Sequence, residues 1–330
     1  MSKLKLAFYW ASSCGGCEIA VLDLAEKILD VAAVADIVFW PVALDCKYSD
    51  VEAMPDKSID VCLFNGAIRT SENEHLAHLL RAKSKVLVAF GSCAHMGGVP
   101  SLANAFDRES ILARVYKETP STDNPDGTLP QTAWASPCGA LELPAFYDTV
   151  KTLGQTVPVE YYVPGCPPAV PQIWNVVQAI ATGNLPPVGS VIGAGNKTVC
   201  DECKRVKGEK KVKAFHRPSE VKPEPERCLL EQGIICLGPA TRSGCGALCL
   251  DADMPCRGCY GPAEGVTDQG AKMLGALASI VDTTDPEEVQ RILSQVVDPM
   301  GTFYRFGLAS SILHRTRLPA TAALATAKEK

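Results

Sequence analysis

Residues 4–32 read LKLAFYWASSCGGCEIAVLDLAEKILDVA: an apolar strand-like run, two cysteines flanking a glycine pair, then apolar residues at helical spacing. A β–α unit of this kind opens an alternating fold, and the cysteines fall in its first turn. Working outward, ADIVFWPVAL (35–44) and SIDVCLFNGAI (58–68) are further apolar, β-branched runs. NEHLAHLLRAK (73–83) is amphipathic, KVLVAFGS (85–92) is a buried-type strand, and VPVEYYVP (157–164) is another. PQIWNVVQAIATG (171–183) closes the series as a helix ending in glycine. This order predicts an α/β, flavodoxin-like doubly wound parallel sheet with helices on both faces. STDNPDGTLPQ (121–131) has the composition of a surface loop.

The pattern divides the chain into a sheet domain over 1–184, a Pro/Gly-rich linker over 185–197 and a cysteine-rich domain over 198–330. Eight cysteines lie between 200 and 259, among glycines and prolines with little periodicity. Such a stretch is expected to need a polydentate centre rather than an apolar core alone. The final seventy or so residues lack cysteine; EEVQRILSQVV (287–297) and FYRFGLASSILHR (303–315) read as packing helices.

The whole chain has 330 residues, 15 cysteines and a net charge of −5. Without a long basic face, nucleic acid is excluded as a partner. No apolar run reaches the about 18 residues of a membrane helix. MSKLKLAFYW reads as no export signal, so the expected compartment is the cytoplasm, where thiols serve metal binding or redox chemistry rather than disulfides.

Cys14 and Cys17 follow the first strand, Cys93 (in GSCAHMGG) follows KVLVAF, and Cys166 (in VPGCPP) follows VEYYV. Loops at the carboxyl ends of parallel strands converge on one crevice. Four thiols distant in sequence are therefore expected to meet there. Four thiolates without histidine, in glycine-rich surroundings, suit a [4Fe–4S] cube. Gly15 and Gly16 permit close backbone approach, and the following helix start favours thiolate. A thioredoxin-like dithiol leaves Cys93 and Cys166 unexplained, and GSCAHMGG lacks the ending of a phosphate loop. Structural zinc is the serious rival.

Two more quartets follow. Cys200 and Cys203 are joined by Cys228 and Cys236; Cys245 and Cys249 precede Cys256 and Cys259. Neither has the bacterial ferredoxin spacing, and either alone suits zinc as well as iron. Three sites along one chain read better as a conduit for electrons.

CGGCE, GSCAHMGG and VPGCPP, followed by the two later cysteine groups, closely resemble the small subunit of [NiFe] hydrogenases over about residues 4–260. The resemblance implies three [4Fe–4S] clusters. The proximal one would take Cys14, Cys17, Cys93 and Cys166; the distal one Cys200, Cys203, Cys228 and Cys236; the medial one Cys245, Cys249, Cys256 and Cys259. It implies a Ni–Fe centre on a partner large subunit, where H₂ ⇌ 2H⁺ + 2e⁻ takes place, so no residue here is catalytic. Cysteine at 200, where periplasmic relatives have histidine, and the fourth medial cysteine, Cys249, resemble the cytoplasmic methyl-viologen-reducing (F420-non-reducing) group. Electrons would then pass to an iron–sulfur adaptor and a heterodisulfide-reductase-like or flavin-containing acceptor module. Two alternatives remain: a nickel-free electron-transfer subunit of another oxidoreductase, or a zinc-stapled scaffold.

Cys46, Cys62 and Cys138 receive no role, since buried cysteine commonly acts as a small hydrophobe. Asp45 and Cys46 are a reserve for a proximal ligand. Glu18 reads as dipole compensation before proton relay. His95 is a possible donor to sulfur, or a plain surface or core histidine. KRVKGEKKVK (204–213) reads as a solvated face, with acceptor docking through Lys207, Lys210 and Lys211 as the sharper alternative.

Overall fold

The structure, a computed structural model, describes residues 3–209 and 211–314. The first half runs β1 (Leu4–Trp10), α1 (Gly16–Leu22), α2 (Ile28–Val34), β2 (Ala35–Phe39), α3 (Tyr48–Ala53), β3 (Ile59–Asn65), β4 (Ile68–Thr70), α4 (Ser71–Lys83), β5 (Ser84–Phe90) and α5 (Ser92–Met96). It continues through α6 (Arg108–Ala113), β6 (Ala133–Ser136), β7 (Gly139–Glu142), β8 (Phe146–Lys151), β9 (Tyr161–Val163) and α7 (Val170–Thr182). Five parallel strands form the central sheet in the order β2-β1-β3-β5-β9. This is the flavodoxin-like order, whose switch point lies between β1 and β3.

The strands form where apolar residues run without interruption, because both faces are covered. One apolar layer contains Leu6, Phe8, Val61, Leu63, Val88 and Ile173; the other contains Ala7, Tyr9, Cys62, Phe64, Leu76 and Leu87. Period-two alternation sends successive residues of one strand into opposite layers. Helix α4 starts where Thr70 accepts a hydrogen bond from the Asn73 N–H (3.3 Å) and the Asn73 side chain accepts from the Thr70 N–H (3.2 Å). That reciprocal cap satisfies donors the first helical turn leaves free.

Several expectations need correction. The helix expected over 18–32 is broken: Ala25 has φ +52°, and a 3₁₀ turn (Ala25–Lys27) separates α1 from α2. The run 35–44 is strand only to Phe39, beyond which Trp40 accepts from the Ala43 and Leu44 N–H groups in a turn. The antiparallel hairpin β6–β7 follows the 121–131 loop and has no counterpart in the sequence pattern.

The second half has α8 (Leu248–Asp251), α9 (Gln269–Ala278), α10 (Pro286–Ser294) and α11 (Pro299–Phe303). The helix expected over 303–315 is absent among the described residues, since α11 ends at Phe303 and turns follow; Arg315 lies outside them. The cysteine-rich stretch does possess an apolar core. Val199, Phe215, Leu230 and Leu250 pack with Met273, Leu277, Ile292 and Phe303 around Cys236 and Cys256. The tail supplies the apolar surface that the loops lack.

The two halves interlock. Ile192 donates its N–H to the Tyr162 carbonyl (2.9 Å), laying residues 190–192 beside β9. Gly98 donates to the Phe306 carbonyl (3.0 Å), and the Gln155 side chain donates to the Ala309 carbonyl (2.8 Å). No helix among the described residues is long and apolar enough to cross a membrane.

Candidate metal centres

At the carboxyl edge of the sheet, Cys14, Cys17, Cys93 and Cys166 are mutual electrostatic neighbours. Three loops bring them together. Gly15 caps α1 in the left-handed region (φ +79°), where a Cβ would meet the Trp10 ring at 2.9 Å. The Gly16 N–H donates to Cys14 Sγ (3.4 Å). Gly91 donates to the Val163 carbonyl and Ser92 to the Gly165 carbonyl, both at 2.8 Å, which laces the Cys93 and Cys166 loops side by side. A Cβ on Gly91 would collide with Cys17 Sγ, and one on Gly98 with Cys93 Sγ.

Burial, then the neighbouring thiols, raises three of the four: Cys93 is pushed up to about 12, and Cys17 and Cys166 are raised as well. A cationic centre would favour their thiolate forms.

Glu18 lies in the first turn of α1, as dipole compensation requires, and is 3% exposed. Trp40 Nε1 donates to one carboxylate oxygen (2.5 Å) and Asn65 Nδ2 to the other (3.4 Å). Burial nevertheless holds its carboxyl above the ordinary range. Asn65 escapes a reading of the sequence. A polar residue ending the apolar run IDVCLF at the switch point is the signal that could have found it.

Cys200, Cys203, Cys228 and Cys236 line one cavity with Arg205, Lys207 and Gly238. Gly238 lies close, because a Cβ there would stand 3.1 Å from Cys200 Sγ and 3.6 Å from Cys236 Sγ. Burial pushes Cys200 up to about 11, against the nearby Lys207.

Cys245, Cys249, Cys256 and Cys259 make a third group, linked by mutual electrostatic contacts. The Gly258 N–H and the Thr241 hydroxyl face Cys256 sulfur, and the Ala247 and Leu248 N–H groups face Cys245. Burial pushes Cys256 and Cys259 up to about 12.

The groups touch in series. Cys259 neighbours Cys166 of the sheet group, and Cys256 neighbours Cys236 of the cavity group. Protein bonds hold the junctions. The Ser92 hydroxyl donates to the Cys259 carbonyl (2.6 Å), and the Tyr260 hydroxyl donates to Gln172 (2.6 Å) while accepting from the Ala169 N–H (3.1 Å). The Leu237 N–H donates to the Cys256 carbonyl (3.0 Å). Glu202, which no motif singles out, accepts from the Gly244 (2.7 Å) and Gly246 (3.1 Å) N–H groups.

Every donor set is thiol, backed by backbone N–H groups and glycine clefts, which fits iron–sulfur ligation. Among the described residues, no three Cys, His, Asp or Glu side chains are placed to hold a single metal ion.

The remaining residues fall elsewhere. Cys46 Sγ accepts from the Trp40 N–H (3.4 Å) and faces the Leu44 carbonyl (3.8 Å). Cys62 is wholly buried in the core, and Cys138 is exposed on the β6–β7 hairpin. His95 makes no hydrogen bond to sulfur among the described residues; its Nδ1 is buried without a partner, and burial followed by Arg242 lowers its pKa to about 4. The basic run is largely the solvated face expected, with Lys204, Lys207, Lys211 and Lys213 exposed. Arg205 is buried, Lys204 pairs with Asp251 (2.9 Å), Lys207 donates to the Cys200 carbonyl (2.9 Å), and Lys211 pairs with Asp282 (3.6 Å). Lys210 lies outside the described residues.

Residues 14–180 match the family described as NADH ubiquinone oxidoreductase, 20 Kd subunit. The chain is 43% identical over 318 residues to the iron-sulfur subunit of the F420-non-reducing hydrogenase of Archaeoglobus profundus, covering 94% of this chain and 98% of that one. It is 37% identical over 319 residues to the corresponding F420-non-reducing hydrogenase subunit of Methanothermobacter thermautotrophicus, covering 94% and 96%. In fold it resembles a recombinant [NiFeSe] hydrogenase chain from Desulfovibrio vulgaris Hildenborough (TM-score 0.51, 14% identity, 80% of this chain and 95% of that one). The chain belongs to the 20 Kd subunit family and, within it, to the small subunits of [NiFe] hydrogenases of the kind found in the F420-non-reducing enzymes.

Proposed function

We propose that this chain is the electron-transfer small subunit of a cytoplasmic [NiFe] hydrogenase. It would link the Ni–Fe site of a large subunit, where H₂ ⇌ 2H⁺ + 2e⁻ is catalysed, to an iron–sulfur adaptor and a heterodisulfide-reductase-like or flavin-containing acceptor. Cys14, Cys17, Cys93 and Cys166 would hold a proximal [4Fe–4S] cluster on a domain spanning 1–184. After a linker over 185–197, Cys245, Cys249, Cys256 and Cys259 would hold a medial cluster, and Cys200, Cys203, Cys228 and Cys236 a distal one. Bound there, such clusters supply storage for one electron each.

The reading rests on one observation above the others. The three thiol groups stand in series, with Cys166 beside Cys259 and Cys256 beside Cys236. A zinc scaffold has no use for that order. The chain's own residues fix it: Ser92 and Tyr260 tie the sheet to the Cys259 loop, and Glu202 ties the Cys200–Cys203 turn to the Cys245 loop.

The test is metal analysis and low-temperature EPR of the complex purified without oxygen. The expected result is a brown protein with about twelve irons per chain, three cubes of four. A colourless protein with stoichiometric zinc refutes it. A co-purifying large subunit lacking either of its two nickel-binding CxxC pairs assigns the chain to a nickel-free oxidoreductase instead.

A further inference from the structure

Arg257 occupies the two-residue gap between Cys256 and Cys259 and is half-buried. Two features fix its position. Gly258 takes φ +94°, and a Cβ there would press on Leu237 Cδ2 and Gln269 Nε2 at 3.0 Å. The Leu237–Cys256 backbone bond sets the Cys236 turn against the Cys256 turn (3.0 Å). The guanidinium consequently feels thiols of two groups: Cys249 and Cys256 from one, Cys236 from the other.

Its remaining surroundings do not neutralise it. Arg257 lines a cavity with Arg305, Arg217, Ile235, Met254 and Asp298, and the charge on Arg305 opposes its own. Arg305 donates Nε–H to the Gly301 carbonyl (2.9 Å), which holds that second guanidinium in place. Asp298 is engaged at the start of α11, accepting from the Gly301 N–H (2.9 Å). Among the described residues, no carboxylate lies within ion-pair distance of Arg257. A half-buried cation beside a like charge is costly unless an anion faces it. With a cluster bound, its thiolate ligands would supply that anion.

We infer that Arg257 is a positioning charge, set between the second and third thiol groups so that the clusters held there accept an electron more readily than the one on the sheet. The inference rests on the cluster reading above. A fixed positive charge favours the more negative, reduced state of a nearby centre, and its effect falls with distance. Arg257 faces Cys236, Cys249 and Cys256, whereas Cys17, Cys93 and Cys166 feel burial and one another, so the sheet group serves as an internal control.

The test compares wild type, Arg257→Gln and Arg257→Lys as the full anaerobic complex, using iron content and EPR-monitored redox titration. At fixed potential, Arg257→Gln should lower the reduced-to-oxidised ratio of the medial and distal clusters by about tenfold, equal to ~59 mV for a one-electron couple. The proximal ratio should not move, and Arg257→Lys should stay close to wild type because it keeps the charge. Arg305→Gln, remote from the ligands in sequence, should shift the same two ratios in the same direction by a smaller factor. That variant carries the test if Arg257→Gln fails to retain iron. Full iron content with unmoved medial and distal ratios, or equal shifts in all three clusters, overturns the role of Arg257 and leaves the cluster reading intact. A wild-type complex without iron overturns the cluster reading itself.

Discussion

Replacing Gly91 by alanine tests the sheet-borne site most directly. Gly91 has φ +85° and ψ 164°, a region essentially restricted to glycine. Its N–H is committed to the Val163 carbonyl (2.8 Å), and the next residue donates to the Gly165 carbonyl (2.8 Å), so the backbone cannot readily turn to relieve the strain. The new methyl would occupy the place of Cys17 Sγ, with the Gly165 carbonyl at 3.6 Å and Asn65 Oδ1 at 3.8 Å on its other sides. Backbone strain of about 1–3 kcal/mol and overpacking of similar size give a loss of about 2–6 kcal/mol. Because the thiol of Cys17 is the atom displaced, iron should fall from about twelve to about eight atoms per chain, one cube of four being lost. The EPR signals of the other two clusters should persist, and reduction of dyes by H₂ should disappear. Gly183→Ala is the control: φ is +68° there, but nothing lies within 4 Å of the added carbon. That change should cost about 1–2 kcal/mol and leave the iron untouched. A Gly91→Ala complex with full iron and unchanged spectra would refute the geometry assigned to this site.

Three further outcomes follow from the same contacts. Tyr260→Phe strands the Ala169 N–H and Gln172 at the joint between the halves, and should cost about 1–3 kcal/mol in calorimetry while keeping the iron. Arg205 donates to the Leu250, Glu224 and Arg227 carbonyls behind the Cys200–Cys236 cavity; Arg205→Ala should lose on the order of 3 kcal/mol and release distal iron first under mild denaturant. The Tyr147 hydroxyl, followed by Lys151, holds the Glu74 carboxyl below its ordinary range. A depressed carboxyl stabilises the fold above its unfolded pKa of about 4.3 and loses that contribution as pH falls through the folded value. Glu74→Gln should therefore be less stable than wild type at pH 7 and equal to it in strong acid, as read by denaturant melts.

The first half is legible because its strands are continuous apolar runs and its thiols terminate three of them. LKLAFYW is β1 residue for residue, and Cys14, Cys93 and Cys166 lie just beyond β1, β5 and β9. What sequence periodicity conceals is local backbone. The apolar positions of 18–32 keep helical spacing straight through Ala25, whose positive φ divides the helix. In the second half the difficulty is long range: residues 200–259 hold too few apolar side chains for a core, yet Met273, Leu277, Ile292 and Phe303 arrive from further along the chain to complete one. Glu18 shows a related limit. Its position in a first turn is a local fact, whereas its burial depends on Trp40 and Asn65, 22 and 47 residues away.

The order of the thiol groups is the feature that spacing alone does not yield. Along the chain, the Cys200–Cys236 group comes before the Cys245–Cys259 group; in space, the later group lies against the sheet and the earlier one beyond it. Two contacts produce this inversion. Glu202 leaves the earlier group to bind the Gly244 and Gly246 N–H groups of the later one. Tyr260, following the last cysteine, returns to Gln172 and Ala169 at the head of α7. The chain thus passes the middle position, forms the far group, and turns back to fill the interval. Setting the middle thiol group last, against both neighbours, lets protein hydrogen bonds from Ser92, Glu202 and Tyr260 hold the three groups in order.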